Sequence, residues 1–182
     1  ELFHHWFGDM VTCESWSNLP LNESFANYSQ YLWDEKEYGR MEADMNAFSE
    51  MEGFFISAQQ SGHYDLIRFD YRDKEDMFDG HSYNKGGRIL HMLRDYLGDA
   101  VFFEGLKRYL IKHAYSTAEA HDLRMSFEDV AGEDLNWFFN QWFFAKGYPV
   151  LDIQQEYSPE KKEIKIMVTQ KQNLEKWPLF KL

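Results

Sequence analysis

Apolar residues recur every three or four positions through most of the chain, and this spacing predicts a series of amphipathic helices. Residues 1–9 read as the end of one helix, stopped near Gly8. Leu21, Phe25, Tyr28 and Leu32 share one face of the next, with Pro20 in its first turn, Asn18 placed to cap it and Gly39 ending it. Another helix is expected over about residues 41–60, where Met45, Phe48, Met51/Glu52 and Phe55 would stack. Residues 62–80 are polar and Asp-rich and read as loop. Gly86, Ile89/Leu90, Leu93 and Leu97 then form a stripe broken by Gly98, and Leu106, Leu110 and His113 form the next. Ser116 and Thr117 are placed to cap a helix of about 118–131 closed by Gly132, and Leu135, Phe138/Phe139 and Trp142/Phe143 mark the last.

The period changes at Gly147-Tyr148-Pro149, a cluster of helix breakers. Beyond it apolar residues alternate, first Leu151 and Ile153, then Ile164, Ile166 and Val168, and Ser158-Pro159-Glu160-Lys161-Lys162 between the two runs reads as a hairpin turn. Charge changes at the same place. Residues 149–182 carry six Lys against five acidic side chains, leaving 13 basic and 26 acidic residues in the first 148. The pattern predicts a mainly α chain in two parts: a helical body over 1–148, and over 149–182 the first strands of a second, incomplete β domain. Two strands alone are marginal in water.

Composition narrows the class. Among the 182 residues are 16 Phe, 11 Tyr and 6 Trp, too large an apolar payload for a disordered chain. No apolar run approaches the roughly 20 residues of a membrane helix, and the opening does not read as a signal peptide. The single cysteine, Cys13, excludes an internal disulfide framework and a cysteine-rich zinc ribbon. A net charge of −12 argues against a nucleic-acid partner, since phosphate contacts need Lys and Arg. Compartment stays open: one cysteine suits either side of a membrane, and any export signal would lie upstream.

Candidate chemistry begins at the first residue. Glu1 and His4 sit side by side on a helix, the second half of the H-E-x-x-H pattern in which two imidazoles bind zinc and the Glu is general base. The first His of that pattern would precede Glu1. By itself E-x-x-H most often marks a solvated pair. The context is more specific: 18 residues separate His4 from Glu23, inside Leu21-Asn22-Glu23-Ser24-Phe25-Ala26. His4-His5-Trp6-Phe7-Gly8-Asp9 flanks the first site, and Glu14-Ser15-Trp16-Ser17-Asn18-Leu19-Pro20-Leu21-Asn22-Glu23 leads to the second. Ser82-Tyr83-Asn84-Lys85-Gly86 follows, and Phe138-Phe139-Asn140-Gln141-Trp142-Phe143 precedes the breaker cluster.

In combination these segments resemble the membrane alanyl aminopeptidases, gluzincin zinc peptidases with H-E-x-x-H, a Glu 18 residues on, a Y-x-K-G segment and a W-F-x-Q-W end. One departure is leucine where the family usually has Trp before Asn22. The resemblance implies the helical lobe of a thermolysin-like catalytic domain followed by the opening strands of a β-sandwich. It implies one zinc ion with His4 and Glu23 as two of its three ligands, the third being the His before Glu1, so that the site in this chain is expected to be incomplete and its occupancy is left open. Glu1 would act as general base toward the attacking water and then protonate the leaving amine, and Tyr83 would donate its hydroxyl to the oxyanion. Asn22 would support the Glu23 carboxylate. His5 points to another face, Asp9 and Glu14 read as capping or solvated residues, and His81 reads as a loop histidine near the cleft. The G-x-M-E-N segment that binds a substrate's free amine in this family is absent. The chain is thus expected to be a fragment of a zinc aminopeptidase acting on peptides, inactive when isolated, with the lobe surface that would meet its missing part left exposed for self-association. Two alternatives stay open: a catalytically dead relative serving as a binding scaffold, and a related zinc epoxide hydrolase.

Overall fold

The computed structural model describes residues 1–182. A single 3-10 turn, Leu2–His5, opens the chain where a longer helix end was expected. The turn stops at Gly8, whose φ of +146° suits glycine, and a Cβ there would come within 2.9 Å of the His4 carbonyl. A short strand β1 (Val11–Cys13) and a 3-10 turn (Trp16–Asn18) lead into α1 (Pro20–Tyr38). Leu21, Phe25, Tyr28 and Tyr31 are the buried face of α1, close to the predicted stripe. Phe25 stacks on Phe7 at 4.1 Å between ring centres, and Tyr28 meets Phe102 edge-on at 6.0 Å.

The second helix, α2 (Arg40–Ser61), forms where expected but turns a different face inward. Ala43, Ala47, Phe54 and Ala58 are its buried residues, while Met45 and Phe48 are exposed. Small side chains let α2 lie close along α1, and the larger residues are pushed to the outer side. Residues 62–80 are irregular apart from a 3-10 turn, Lys74–Met77, capped by Asp73. A short π-helix, His81–Lys85, then runs into α3 (Gly86–Leu97).

Helices α4 (Asp99–Lys112) and α5 (Ala120–Ala131) pack through Phe102 and Phe127, and α6 (Asn136–Trp142) closes the end of the core. Ser116 and Thr117 do not cap α5. With Ala118 they form β2 (Ser116–Ala118), which pairs in parallel with β1. The α5 cap is instead Glu119 with Asp122, and the buried Asn18 adds to it: its Oδ1 accepts from the Ala120 N–H at 3.0 Å. Asn18 therefore caps α5, not the helix that follows it in sequence.

Beyond Pro149, β3 (Leu151–Ser158) and β4 (Glu163–Gln170) form the predicted antiparallel hairpin. Ile153 faces Val168 and Tyr157 faces Ile164, so the alternation lays an apolar surface on one side of the ribbon, and it is exposed. The final segment returns to the helical body, where Phe180 is buried against Trp142 and the Gln141 side chain bonds the backbone of Lys181.

Candidate active site

The 3-10 turn and the first turn of α1 bring two donors together. His4 Nε2 lies 3.4 Å from Glu23 Oε2. The Phe7–Phe25 stack lies just behind them and fixes the crossing of the two segments. His4 Nδ1–H donates to the Phe7 carbonyl at 3.1 Å, which leaves the Nε2 lone pair directed at Glu23. A ring nitrogen tied to a backbone carbonyl is how proteins orient a metal-binding imidazole. The gap between the donors also suits an ion shared by both: bonds of about 2.0–2.2 Å at a tetrahedral angle put neighbouring ligand atoms about 3.4 Å apart.

Tyr83 stands on the π-helix, with its side chain beside Glu23. Burial, then the negative charges of Glu23 and Glu1, push its hydroxyl well above the ordinary tyrosine range, so it stays a proton donor at all physiological pH. Glu1 itself is exposed. Four predicted residues, Glu1, His4, Glu23 and Tyr83, thus gather at one place. His4 and Glu23 are the two that come within coordinating distance of each other, and no three His, Cys, Asp or Glu side chains are arranged to hold a metal ion.

The π-helix is held from both ends. The Lys85 N–H reaches back five residues to the Gly80 carbonyl at 2.9 Å, and the wide turn re-aims the Tyr83 side chain relative to an α-helical one. At its start His81 is fully enclosed, not a loop residue. Its Nδ1 bonds Asp79 at 3.1 Å, and its Nε2 accepts from the Tyr64 N–H at 3.2 Å. Arg68 donates to the same Asp79 carboxylate at 2.8 Å. Burial alone would raise the Asp79 carboxyl, but His81 and Arg68 outweigh it and hold it low.

Other expected roles fall differently. Asn22 does not reach Glu23; its amide donates to Cys13 Sγ at 3.6 Å. His5 pairs with Asp9 at 3.3 Å on the open surface, away from the donor pair. Sequence reasoning passed over two buried serines next to the site residues, Ser24 and Ser82, which bond each other across 58 positions. A pairing this remote leaves no local periodicity to find.

The chain is similar to known proteins along most of its length. The peptidase family M1 domain matches residues 1–142. The chain is 35% identical over 153 residues to aminopeptidase M1 of Arabidopsis thaliana, covering 83% of this chain and 17% of the relative. It is 35% identical over 168 residues to aminopeptidase N of Lactococcus lactis, covering 85% and 19%. Tricorn protease-interacting factor F2 of Thermoplasma volcanium is 34% identical over 159 residues, covering 86% and 20%. The chain therefore spans about a fifth of the length of the curated relatives it matches. Among solved structures, aminopeptidase A of Legionella pneumophila in complex with aspartic acid superposes with a TM-score of 0.79 at 23% identity, over 93% of this chain and 19% of that one, a likeness of fold. A mutant M1 zinc metallopeptidase of Deinococcus radiodurans bound to a Tyr-Ser-Ala substrate gives 0.65 at 26% identity, over 78% and 31%.

Proposed function

The chain belongs to peptidase family M1, and from that premise we propose that its residues serve a zinc-dependent aminopeptidase that cleaves peptides by water attack. Residues 1–148 are the helical part of its catalytic domain and residues 149–182 the start of a β-sandwich, a division supported by the change of period at Gly147 and by the family match ending at residue 142. The convergence of His4 Nε2 and Glu23 Oε2 at 3.4 Å, with Tyr83 beside them, carries the reading.

His4 and Glu23 would hold the zinc, with one further imidazole, the residue before Glu1 in the family pattern, needed to complete three protein ligands. When bound, zinc supplies Lewis acidity, polarising a carbonyl and lowering the pKa of a water. Glu1 takes a proton from the attacking water and delivers it to the leaving amine. Tyr83, kept protonated by burial and by its acidic neighbours, donates to the carbonyl oxygen as it gains charge. The Phe7 carbonyl holds the imidazole in the tautomer with a free Nε2. Peptides are favoured over other substrates by the Arabidopsis and Lactococcus relatives, both named aminopeptidases, and by the Tyr-Ser-Ala substrate of the Deinococcus protein. With only two donors gathered, the 182 residues alone should bind zinc weakly and turn over no peptide, and their exposed hairpin face is where copies would associate.

The test is Glu1→Gln in the intact polypeptide that carries these residues. Turnover of an alanyl anilide should fall by about 100-fold or more, the scale of general acid–base catalysis, while metal analysis still finds zinc. His4→Ala and Glu23→Ala should instead lose the metal. A Glu1→Gln protein that keeps most of its rate would remove Glu1 from the role of base.

A further inference from the structure

The two residues that follow or precede the site residues form a bond of their own. Ser24 comes directly after Glu23, and Ser82 directly before Tyr83. Ser24 Oγ–H donates to the Ser82 carbonyl at 2.7 Å, and both side chains are buried, 2% and 0% exposed. Ser82 is itself pinned. Its hydroxyl donates to the Met77 carbonyl, and its N–H donates to Asp79 at 3.1 Å. The helices can approach this closely because Gly86 lies against Ser24, where a Cβ would overlap the serine Oγ. Gly87 lies equally close to the Asn27 side chain, one turn further along α1.

We propose that Ser24 is a positioning residue that sets the separation between the Glu23 carboxylate and the Tyr83 hydroxyl, by tying the first turn of α1 to the π-helix at the Ser82 carbonyl. The proposal rests on the roles given to Glu23 and Tyr83 above and adds what fixes them to each other. The Glu23 carboxylate and the oxyanion donor sit on segments about 60 residues apart in sequence, so only a tertiary contact can fix one against the other. A buried bond one residue from each group makes the two segments move as one body. Without it the tie between α1 and the π turn is lost and the π turn can shift, carrying Tyr83 away from where charge develops. Misplacement on the order of 1 Å costs about 100-fold in such sites.

The test compares Ser24→Ala in two backgrounds of the intact polypeptide, native and Tyr83→Phe. Two quantities are read: kcat and KM for an alanyl anilide, and the calorimetric affinity for a phosphinic peptide that mimics the tetrahedral intermediate. In the native background Ser24→Ala should lower kcat by about 10- to 100-fold and weaken the phosphinic peptide in parallel, with KM and zinc content nearly unchanged. In the Tyr83→Phe background the same substitution should change either quantity by no more than about twofold, because the group it positions is gone. Should Ser24→Ala not fold, Ser24→Gly, which also removes the hydroxyl, carries the same comparison. Equal losses in both backgrounds, or a lowered unfolding temperature with kcat and phosphinic affinity intact, would overturn the positioning role while leaving the aminopeptidase reading in place. If Tyr83→Phe alone left kcat and phosphinic affinity unchanged, Tyr83 would not be the oxyanion donor, and both readings of that residue would fall.

Discussion

At the residue scale the most unusual group is Lys85, two positions after Tyr83 and only 6% exposed. The nearby Asp79 carboxylate is committed to Arg68 and His81. Burial lowers the Lys85 ammonium from 10.5 to about 8, against a smaller opposing pull from Asp65 and Asp79. In the unfolded chain the amine keeps its ordinary affinity for protons. Between pH 8 and about 10.5 the unfolded state therefore binds a proton that the folded state does not, and this residue's contribution to stability rises with pH across that window. Below pH 8 both states are charged and the desolvation penalty is felt in full, on the order of 3 kcal/mol. Lys85→Met should accordingly raise the thermal midpoint at pH 7, and the gain should shrink as pH climbs from 8 to 10. A gain that stayed constant with pH would mean that Lys85 is not held against its charge.

At the element scale, sequence order and structural role part company. Asn18 stands two residues before α1, yet its side chain serves the buried N–H of Ala120. Removing the acceptor leaves an enclosed donor unpaired, so Asn18→Ala should cost about 1–2 kcal/mol. Hydrogen exchange should locate the loosening at the start of α5, with the start of α1 unaffected; the reverse pattern would return Asn18 to the α1 cap. This is also where the reading of the sequence stops. The Leu21–Phe25–Tyr28 stripe was legible because its period is local, and so was the β3–β4 hairpin with its alternation and turn. A family spacing links His4 to Glu23 in the sequence, and the two side chains lie 3.4 Å apart. The β1–β2 pair was not legible, since three-residue strands joined from Val11 to Ser116 carry no periodic signal. The inner face of α2 was misread because alanines, chosen for closeness to α1, bury no conspicuous apolar bulk. The π-helix and the Ser24–Ser82 bond are likewise products of tertiary contact.

At the scale of the whole molecule, two apolar surfaces lie open. The helical body packs around a continuous aromatic core but leaves Met41, Met45, Phe48 and Ile56 of α2 exposed. The β3–β4 ribbon is the other: Ile153, Tyr157, Ile164, Ile166 and Val168 are all exposed, on strands that pair only with each other. Two-stranded ribbons are marginal in water, and contiguous apolar faces of this kind are rarely left open on a monomer. Burial returns roughly 25 cal/mol for each Å² removed from water, so copies that laid these faces together would gain it. Sedimentation velocity should show a coefficient that rises with concentration. Ile166→Lys places a charge in the middle of the face and should return the chain to a concentration-independent monomer, with its helical circular dichroism unchanged because no helix rests on that side chain. A native chain that sedimented as a monomer at every concentration would show that the ribbon is stable with its apolar face in water.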